Sequence, residues 1–484
     1  MSEEKSKQNL LKTKKIIFCG IFSLLFLCAF SFAFLTALRA RDFSKIQVPS
    51  LLSQAGEQEL LDFMRQQYPK DFGILKTLPY KISDPALDVK AESFVLIDVA
   101  TGYVLYEKNA DEIIPPASMT KLFAMYLVED EVLKGNLSYN QEIPLPSESW
   151  ACNMPPHSSL MFLGEGQHVS LEELLLGLSI CSGNDAAYAL AYAIFGSMEN
   201  LVESMNNLAK SLGLTHTHFV ESSGYSEKNT TTALEMAAFC SYYIKNHPDS
   251  LHRFHSVLSF TYPKEKNLAD GDILETQDFS KGIPRHITMS ITQNNTNPLL
   301  GKLSGCDGLK TGYIEESGYN LSLTAVRSQT RFLSVTMKGP GNNANEGQKW
   351  RVHDGSLLME WAFSSFADYP LELKVHPYNI KAFAASEKML RLVPVYDEKY
   401  FTIPFALSSS AQENLDSVRV EVTLPECTFG DVSLGSELGK IEIYIDNYKL
   451  KEIPLVSDRE LKKINVFSSL SDRLLKKYYI EHRK

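Results

Sequence analysis

The chain has 484 residues, enough for more than one domain and an ample core. Apolar residues make up 44% and charged residues 22%, values of a folded globular protein and not of a disordered or fibrous one. A net charge of −10 with no basic stripe argues against a nucleic-acid partner, and the seven scattered cysteines form neither a Cys-x-x-Cys pair nor a zinc-like Cys/His spacing, so no metal or organic cofactor is implied.

The N-terminus carries the clearest topological signal. Lys5, Lys7, Lys12, Lys14 and Lys15 precede an uncharged apolar run from Ile16 to Leu38. That run exceeds the roughly 7–15 residues of a signal peptide core and reaches the roughly 20 that a spanning helix needs. The lysines hold the N-terminus in the cytoplasm. Arg39 and Arg41 follow at once, so an uncleaved anchor over residues 1–41 is favoured over a cleaved signal, and either way the remainder is exported. Residues 42–88 mix Pro49, Pro69, Pro79 and Pro85 with a helical patch at 57–67 and read as a spacer.

From residue 89 the pattern changes. FVLIDVATGYVLYEK predicts two strands around a turn at Gly102. A helix opens after Pro115-Pro116 and runs to about Lys134, with Gly135-Asn136 as its stop. Ser170-x-x-Glu173 is a capping box ahead of LEELLLGLSI, a further apolar helix starts at Asp185, and Thr232-x-x-Glu235 repeats the capping pattern. Strand runs follow at Asn320 and Arg331, then a helix near 355–366. Helices bracketed by strands from both ends predict an α+β domain around one sheet over 89–367. Alternating β-branched stretches at 417 and 440 predict a small all-β sandwich over 368–456. Residues 457–484 place Ile464, Phe467, Leu470, Leu474 and Tyr478 at helical spacing among Lys462, Lys463, Arg473, Lys476 and Lys477. This basic amphipathic pattern suits an anionic membrane surface, docking on its own β domain, or a frayed solvated tail.

The candidate chemistry rests on an ordered set. A lone Ser-x-x-Lys means little, because Ser2 to Lys5 also matches, and a lone Ser-x-Asn recurs at Ser138 and Ser204. Here Ser118-Met-Thr-Lys121 starts a helix, Ser182-Gly-Asn184 breaks two apolar helices, and Lys310-Thr311-Gly312 precedes a strand pair. Residues i and i+3 on a helix stand about 5–6 Å apart at Cβ, so Lys121 can reach the Ser118 hydroxyl. Serine needs a base, and lysine serves once burial and positive neighbours such as Lys310 lower its pKa. Ser182 can relay a proton, and Asn184 can hold a substrate amide. Gly183 permits a tight turn and Gly312 a close substrate approach. The backbone N–H groups of Ser118 and Tyr313 are the oxyanion candidates. Cys152, Cys181, Cys240, Cys306 and Cys427 are odd in number and read mostly as packed core residues; Cys181, beside Ser182, is one of these and not a second nucleophile.

On these motifs the chain resembles the low-molecular-mass penicillin-binding proteins, the D-alanyl-D-alanine serine carboxypeptidases. The resemblance spans about residues 90–456, through SSLMFLGEGQHVSLEELLLGLSICSGNDAA, CDGLKTGYIEESGYNLSLTA, TRFLSVTMKGPG and LGKIEIYIDNYKLKEIPLV. It implies a β-lactamase-like α+β fold and an acyl-enzyme on Ser118 formed with the penultimate D-alanine of a peptidoglycan stem peptide. It also implies Lys121 as base, Ser182, Asn184 and Lys310 completing the site, and Thr311 and Arg331 holding the terminal carboxylate. Implied partners are peptidoglycan stem peptides, β-lactams and the bacterial membrane, at the extracytoplasmic face of the cell envelope. Tyr313 departs from the histidine that many relatives carry. A D,D-endopeptidase, a class A-like β-lactamase and a non-catalytic β-lactam sensor are the alternatives. No Glu-x-x-Leu-Asn element lies between Ser182 and Lys310 to favour the lactamase.

Overall fold

In a computed structural model, residues 2–43, 75–78, 80–274, 287–371, 375–396, 399–404, 418–445 and 447–481 are described. The chain divides into two compact units. The first sequence-distant pieces, 1–71, 370–399 and 416–484, make one; residues 72–369 with 400–415 make the other. The helical patch expected at 57–67 lies outside the described residues.

The larger unit is built on a six-stranded sheet in the order β1-β3-β2-β6-β5-β4. Its strands are β1 (Lys76–Thr77), β2 (Ser93–Asp98), β3 (Tyr103–Lys108), β4 (Cys306–Ile314), β5 (Gly318–Arg327) and β6 (Thr330–Gly339). All pairs are antiparallel except β1 with β3. Strands from the early part of this unit and from its late part therefore meet in one sheet, with Val95 opposite Val335. Strands β2, β5 and β6 are buried along nearly their whole length, because helices cover them.

The helices on this sheet follow their local signals. Helix α2 (Lys121–Leu133) ends at Lys134 and Gly135, the latter left-handed at φ +78°. Helix α3 (Leu171–Leu176) opens on a complete Ser170/Glu173 capping box and runs into a π-helical turn at 177–181. Such turns often accompany function, and Ser182 follows this one directly. Helices α4 (Asn184–Ile194), α5 (Met198–Ser211) and α6 (Ala233–Asn246) complete the helical layer. At the second expected capping box only half forms: Thr232 caps the Glu235 N–H, but the Glu235 carboxylate is drawn to the His216 N–H and the Thr217 hydroxyl. Helix α7 (Ala344–Ser365) begins well before residue 355, capped by Asn343 accepting from the Glu346 N–H. The core gathers around α2, where the ring of Phe123 stacks on Phe239 and meets Phe219. Full burial of such a ring is worth about 1.5–3 kcal/mol.

The smaller unit holds a mixed six-stranded sheet, β9-β11-β12-β8-β7-β10, made of β7 (Tyr378–Phe383), β8 (Met389–Pro394), β9 (Val418–Thr423), β10 (Cys427–Phe429), β11 (Glu437–Ile445) and β12 (Tyr448–Ser457). Helix α8 (Val466–Glu481) docks on it: Leu475 is buried and Asp472 accepts from the Ala384 N–H. Leu470, Leu474, Tyr478 and Ile480 stay exposed. Helix α1 (Ser2–Phe43) contains a segment, Thr13–Ala33, long and apolar enough to cross a membrane, with mean hydropathy 2.5.

Candidate active site

Ser118 does not sit inside α2. It lies in a 3-10 turn, Ala117–Thr120, which leads into the helix at Lys121. Ala117 is left-handed, at φ +49°, a conformation rarely adopted without a Cβ penalty. The turn is over-determined by neighbours. Asn320 on β5 donates to the Pro115 carbonyl at 3.1 Å, and Gly312 on β4 presses flat against it. A Cβ on Gly312 would lie 2.5 Å from the Pro116 oxygen and 3.2 Å from the Ser118 nitrogen. The missing side chain at Gly312 therefore admits the turn that carries Ser118, a different reason from the substrate approach expected from sequence.

Lys121 is fully buried. Its Nζ donates to Ser118 Oγ at 2.9 Å, to Asn184 Oδ1 at 2.8 Å and to the Ser223 carbonyl at 2.5 Å. Burial carries its pKa down from 10.5 to about 7, against the opposing charges of Glu221 and Asp185. The expected role of Lys310 in this shift reverses. Desolvation dominates at both lysines, and it is Lys310 that is pushed well down, further depressed by Lys121 and Arg351.

Ser182 takes the left-handed conformation, φ +58°, while Gly183 has an ordinary φ of −59°. The turn is thus made by the serine. Gly183 is needed for packing instead, since a Cβ there would sit 2.7 Å from Asp185 Oδ1. Lys310 Nζ donates to Ser182 Oγ at 3.0 Å and to the Thr311 carbonyl at 3.1 Å. Asn184 spends Oδ1 on Lys121 and gives Nδ2 to Ser158 Oγ at 3.0 Å. Thr311 donates to Thr296 Oγ1 at 2.8 Å. Tyr313 is exposed and stacks on Tyr319, with ring centroids 4.4 Å apart. Arg331 is engaged elsewhere: its guanidinium forks onto both Asp307 oxygens at 2.7 Å and reaches Thr324 Oγ1 at 3.0 Å. The structure thus joins Ser118, Lys121 and Asn184 in one hydrogen-bonded group and Ser182 with Lys310, midway along β4, in a second, the two close enough for Lys121 to act on Lys310 electrostatically. Cys181 and Cys240 are buried, and burial pushes both thiols up to about 12.

Two supporting carboxylates carry no sequence signal. Asp185 accepts from the N–H groups of Met161, Phe162, Leu163 and Ala186 and so fixes the 158–163 loop beside Asn184. Glu221 accepts from the Ser223 and Gly224 N–H groups at 2.7 Å each, from Ser223 Oγ and from Asn229 Nδ2. It shapes the loop whose Ser223 carbonyl meets Lys121.

An antiparallel sheet wrapped by helices, with a half-buried serine on a buried lysine, is the arrangement of a serine-type hydrolase. Residues 80–341 match the model of the D-alanyl-D-alanine carboxypeptidase family. The chain is similar to D-alanyl-D-alanine carboxypeptidase DacF of Bacillus subtilis, 28% identical over 382 residues, 79% of this chain and 88% of that protein. Among solved structures, penicillin binding protein 5 from Haemophilus influenzae superposes with a TM-score of 0.64 at 25% identity, covering 79% of this chain and all of that one. Penicillin binding protein 6B from Escherichia coli gives 0.60 at 27%, over 78% of this chain and 98% of that one. The protein belongs to the D-alanyl-D-alanine carboxypeptidase family.

Proposed function

We propose that the protein is a serine D-Ala-D-Ala carboxypeptidase that removes the terminal D-alanine from peptidoglycan stem peptides and thereby limits wall crosslinking. The observation that carries this reading is the 2.9 Å hydrogen bond between Lys121 Nζ and Ser118 Oγ inside a desolvated cluster. Neutral Lys121 takes the hydroxyl proton as Oγ attacks the carbonyl carbon of the penultimate D-alanine. The tetrahedral oxyanion rests on the Ser118 and Tyr313 N–H groups. The C–N bond then breaks, and the proton held by Lys121 returns to the leaving amine, with Ser182 Oγ, held by Lys310 Nζ, as relay. Water next attacks the Ser118 ester, gives its proton to Lys121, and the serine recovers it as the acid product leaves. Thr311 and the Arg331 region receive the terminal carboxylate, and β-lactams acylate Ser118 by the same route.

We place the enzyme outside the cytoplasmic membrane, tethered by α1, with catalysis in the unit of 72–369 and 400–415; this widens the expected 89–367, because β1 at 76–77 pairs with β3 and takes the end of the expected 42–88 spacer, and 400–415 comes out of the expected 368–456 β domain. The apolar Thr13–Ala33 segment behind a lysine cluster supports this. The exposed Leu470, Leu474 and Tyr478 of α8 support a second, surface contact with anionic lipid.

The test is incubation of the detergent-solubilised chain with a stem pentapeptide, read by mass spectrometry. Loss of one D-alanine is expected. Cleavage confined to crosslinked dimers would replace this reading with a D,D-endopeptidase, and rapid nitrocefin turnover with a β-lactamase.

A further inference from the structure

We propose that Arg351 is a positioning residue that polarises the Gly312–Tyr313 peptide and so strengthens the Tyr313 N–H as an oxyanion donor; this rests on the carboxypeptidase reading above. Arg351 lies on α7 and is buried. Its Nη2 donates to the Gly312 carbonyl at 2.5 Å and its Nε to the Asn320 carbonyl at 3.0 Å. Gly312 and Asn320 are direct partners across β4 and β5, so one planar guanidinium bridges two adjacent strands, a geometry a lysine cannot reproduce.

The direction of this contact matters. Among the described residues β4 is the last strand of its sheet, so one side of it is an edge. The Lys310 N–H and carbonyl both meet Ser322 Oγ on β5. Backbone groups alternate sides along a strand, so those of Gly312 turn inward as well and those of Tyr313 turn to that edge. In a planar trans peptide the C=O and N–H point in opposite directions. The peptide that offers its carbonyl to Arg351 therefore offers its N–H to the edge beside Ser118, whose nitrogen is 3.2 Å from the Cβ position of Gly312.

The charge is also undiluted. Among the described residues no salt bridge joins Arg351 to a carboxylate; its flank is the Tyr319 ring, 5.1 Å from the guanidinium carbon. Gly347, one turn earlier on α7, makes room for that ring, since a Cβ there would lie 2.2 Å from it. A buried cation on the carbonyl draws electron density toward the oxygen and leaves the N–H a stronger donor, and in a low dielectric this coupling is larger than in water. It acts at the moment the oxyanion forms, so it lowers the acylation barrier more than it aids ground-state binding.

The experiment uses the full chain in detergent, acylated with a penicillin carrying a 13C-labelled lactam carbonyl. Isotope-edited infrared difference spectra report the ester carbonyl of the acyl-enzyme, whose stretch falls as oxyanion-site hydrogen bonds strengthen. In Arg351→Leu the band is expected at higher wavenumber than in wild type. The acylation rate should fall about 10- to 100-fold, short of full removal of an oxyanion donor, with KM for the stem peptide within about three-fold. Arg351→Gln keeps a donor and loses the charge; it should shift the band the same way, and it serves where the Leu variant does not fold. Arg351→Lys should restore part of the rate and part of the band position. An unmoved band in Arg351→Gln or Arg351→Leu, with acylation loss tracking the folded fraction, overturns the assignment alone. Absence of any wild-type acyl-enzyme would overturn the carboxypeptidase reading and this assignment with it.

Discussion

Gly224 approaches Ala117 so closely that a Cβ on it would lie 1.8 Å from the Ala117 carbonyl oxygen and 2.9 Å from the Ser118 nitrogen. Its φ of +77° adds a second reason for glycine. Backbone here meets backbone, so no rotamer change relieves an added methyl. This approach is what lets the neighbouring Ser223 carbonyl reach Lys121. Gly224→Ala should therefore cost about 2–4 kcal/mol, the sum of overpacking and a strained φ. Its folded fraction should label with fluorescent penicillin at least about ten-fold more slowly, since small misplacements of reacting groups are expensive. Denaturant unfolding and labelling time courses measure the two effects. Wild-type labelling in a folded Gly224→Ala protein would show that this loop does not set the position of Lys121.

The pH dependence follows from Lys121. Burial lowers its pKa to about 7, so the neutral base form accumulates as pH rises through that value. Acylation by penicillin should climb through pH 7 and level off above it. The stability sign is the same. The unfolded lysine, at its ordinary 10.5, holds its proton between 7 and 10.5 while the folded one does not, so this group adds stability as pH rises across that window and withdraws it as pH falls. Lys121→Ala should remove the limb and cut acylation by about 10²–10⁴, the span of a general base. A rate that climbs only above pH 9 would identify Lys121 as an ordinary lysine.

Legibility in the sequence divides along contact range. Lys121 reaches Ser118 across one helical turn, and the Ser170/Glu173 box closes within three residues, so spacing alone announces both. The failed half of the Thr232 box shows the limit: a residue nineteen positions away, His216, outcompetes the local partner of Glu235. Glu221 and Arg351 act on backbone groups, Glu221 on its loop's N–H groups and Arg351 on the carbonyl of Gly312, 39 positions away. Backbone N–H and C=O groups have no sequence identity, so no motif could point to them. Gly312 and Gly183 were readable as necessary, but the reason was not. Which atom fills the space of the absent Cβ is a tertiary fact. Arg331 matched a position, and what no motif could announce is its partner: the guanidinium is paired with both oxygens of Asp307, 24 positions away.

Glu221 offers a test in which charge and shape separate. Its carboxylate accepts from three backbone N–H groups, of Ser223, Gly224 and Ser226, and raises the Lys121 pKa against burial. Glu221→Gln retains an acceptor and a near-identical shape but removes the negative charge. Without it the Lys121 ammonium is less favoured, so its pKa falls further and the acylation limb moves to lower pH. Rate against pH for wild type and Glu221→Gln, under identical salt, makes the comparison. A limb that stays in place while the rate drops would assign Glu221 to loop shape only.

Ser182 can be probed through its own strain. It holds φ +58° and accepts from Lys310 Nζ at 3.0 Å. Ser182→Ala loses the hydroxyl and keeps a Cβ at left-handed φ, whereas Ser182→Gly loses the hydroxyl and relieves that φ, a difference on the order of 1 kcal/mol in stability. If the hydroxyl relays the proton to the leaving amine, both variants should lose about 10²–10³ in kcat for D-alanine release and should do so equally, despite different unfolding midpoints. KM for the stem peptide should stay within about three-fold, because the relay acts in the transition state and not in binding. Ser118→Ala, by contrast, should abolish both penicillin labelling and D-alanine release. Should Ser182→Gly recover wild-type kcat while Ser182→Ala does not, the residue's importance would lie in backbone conformation and the relay role would be lost.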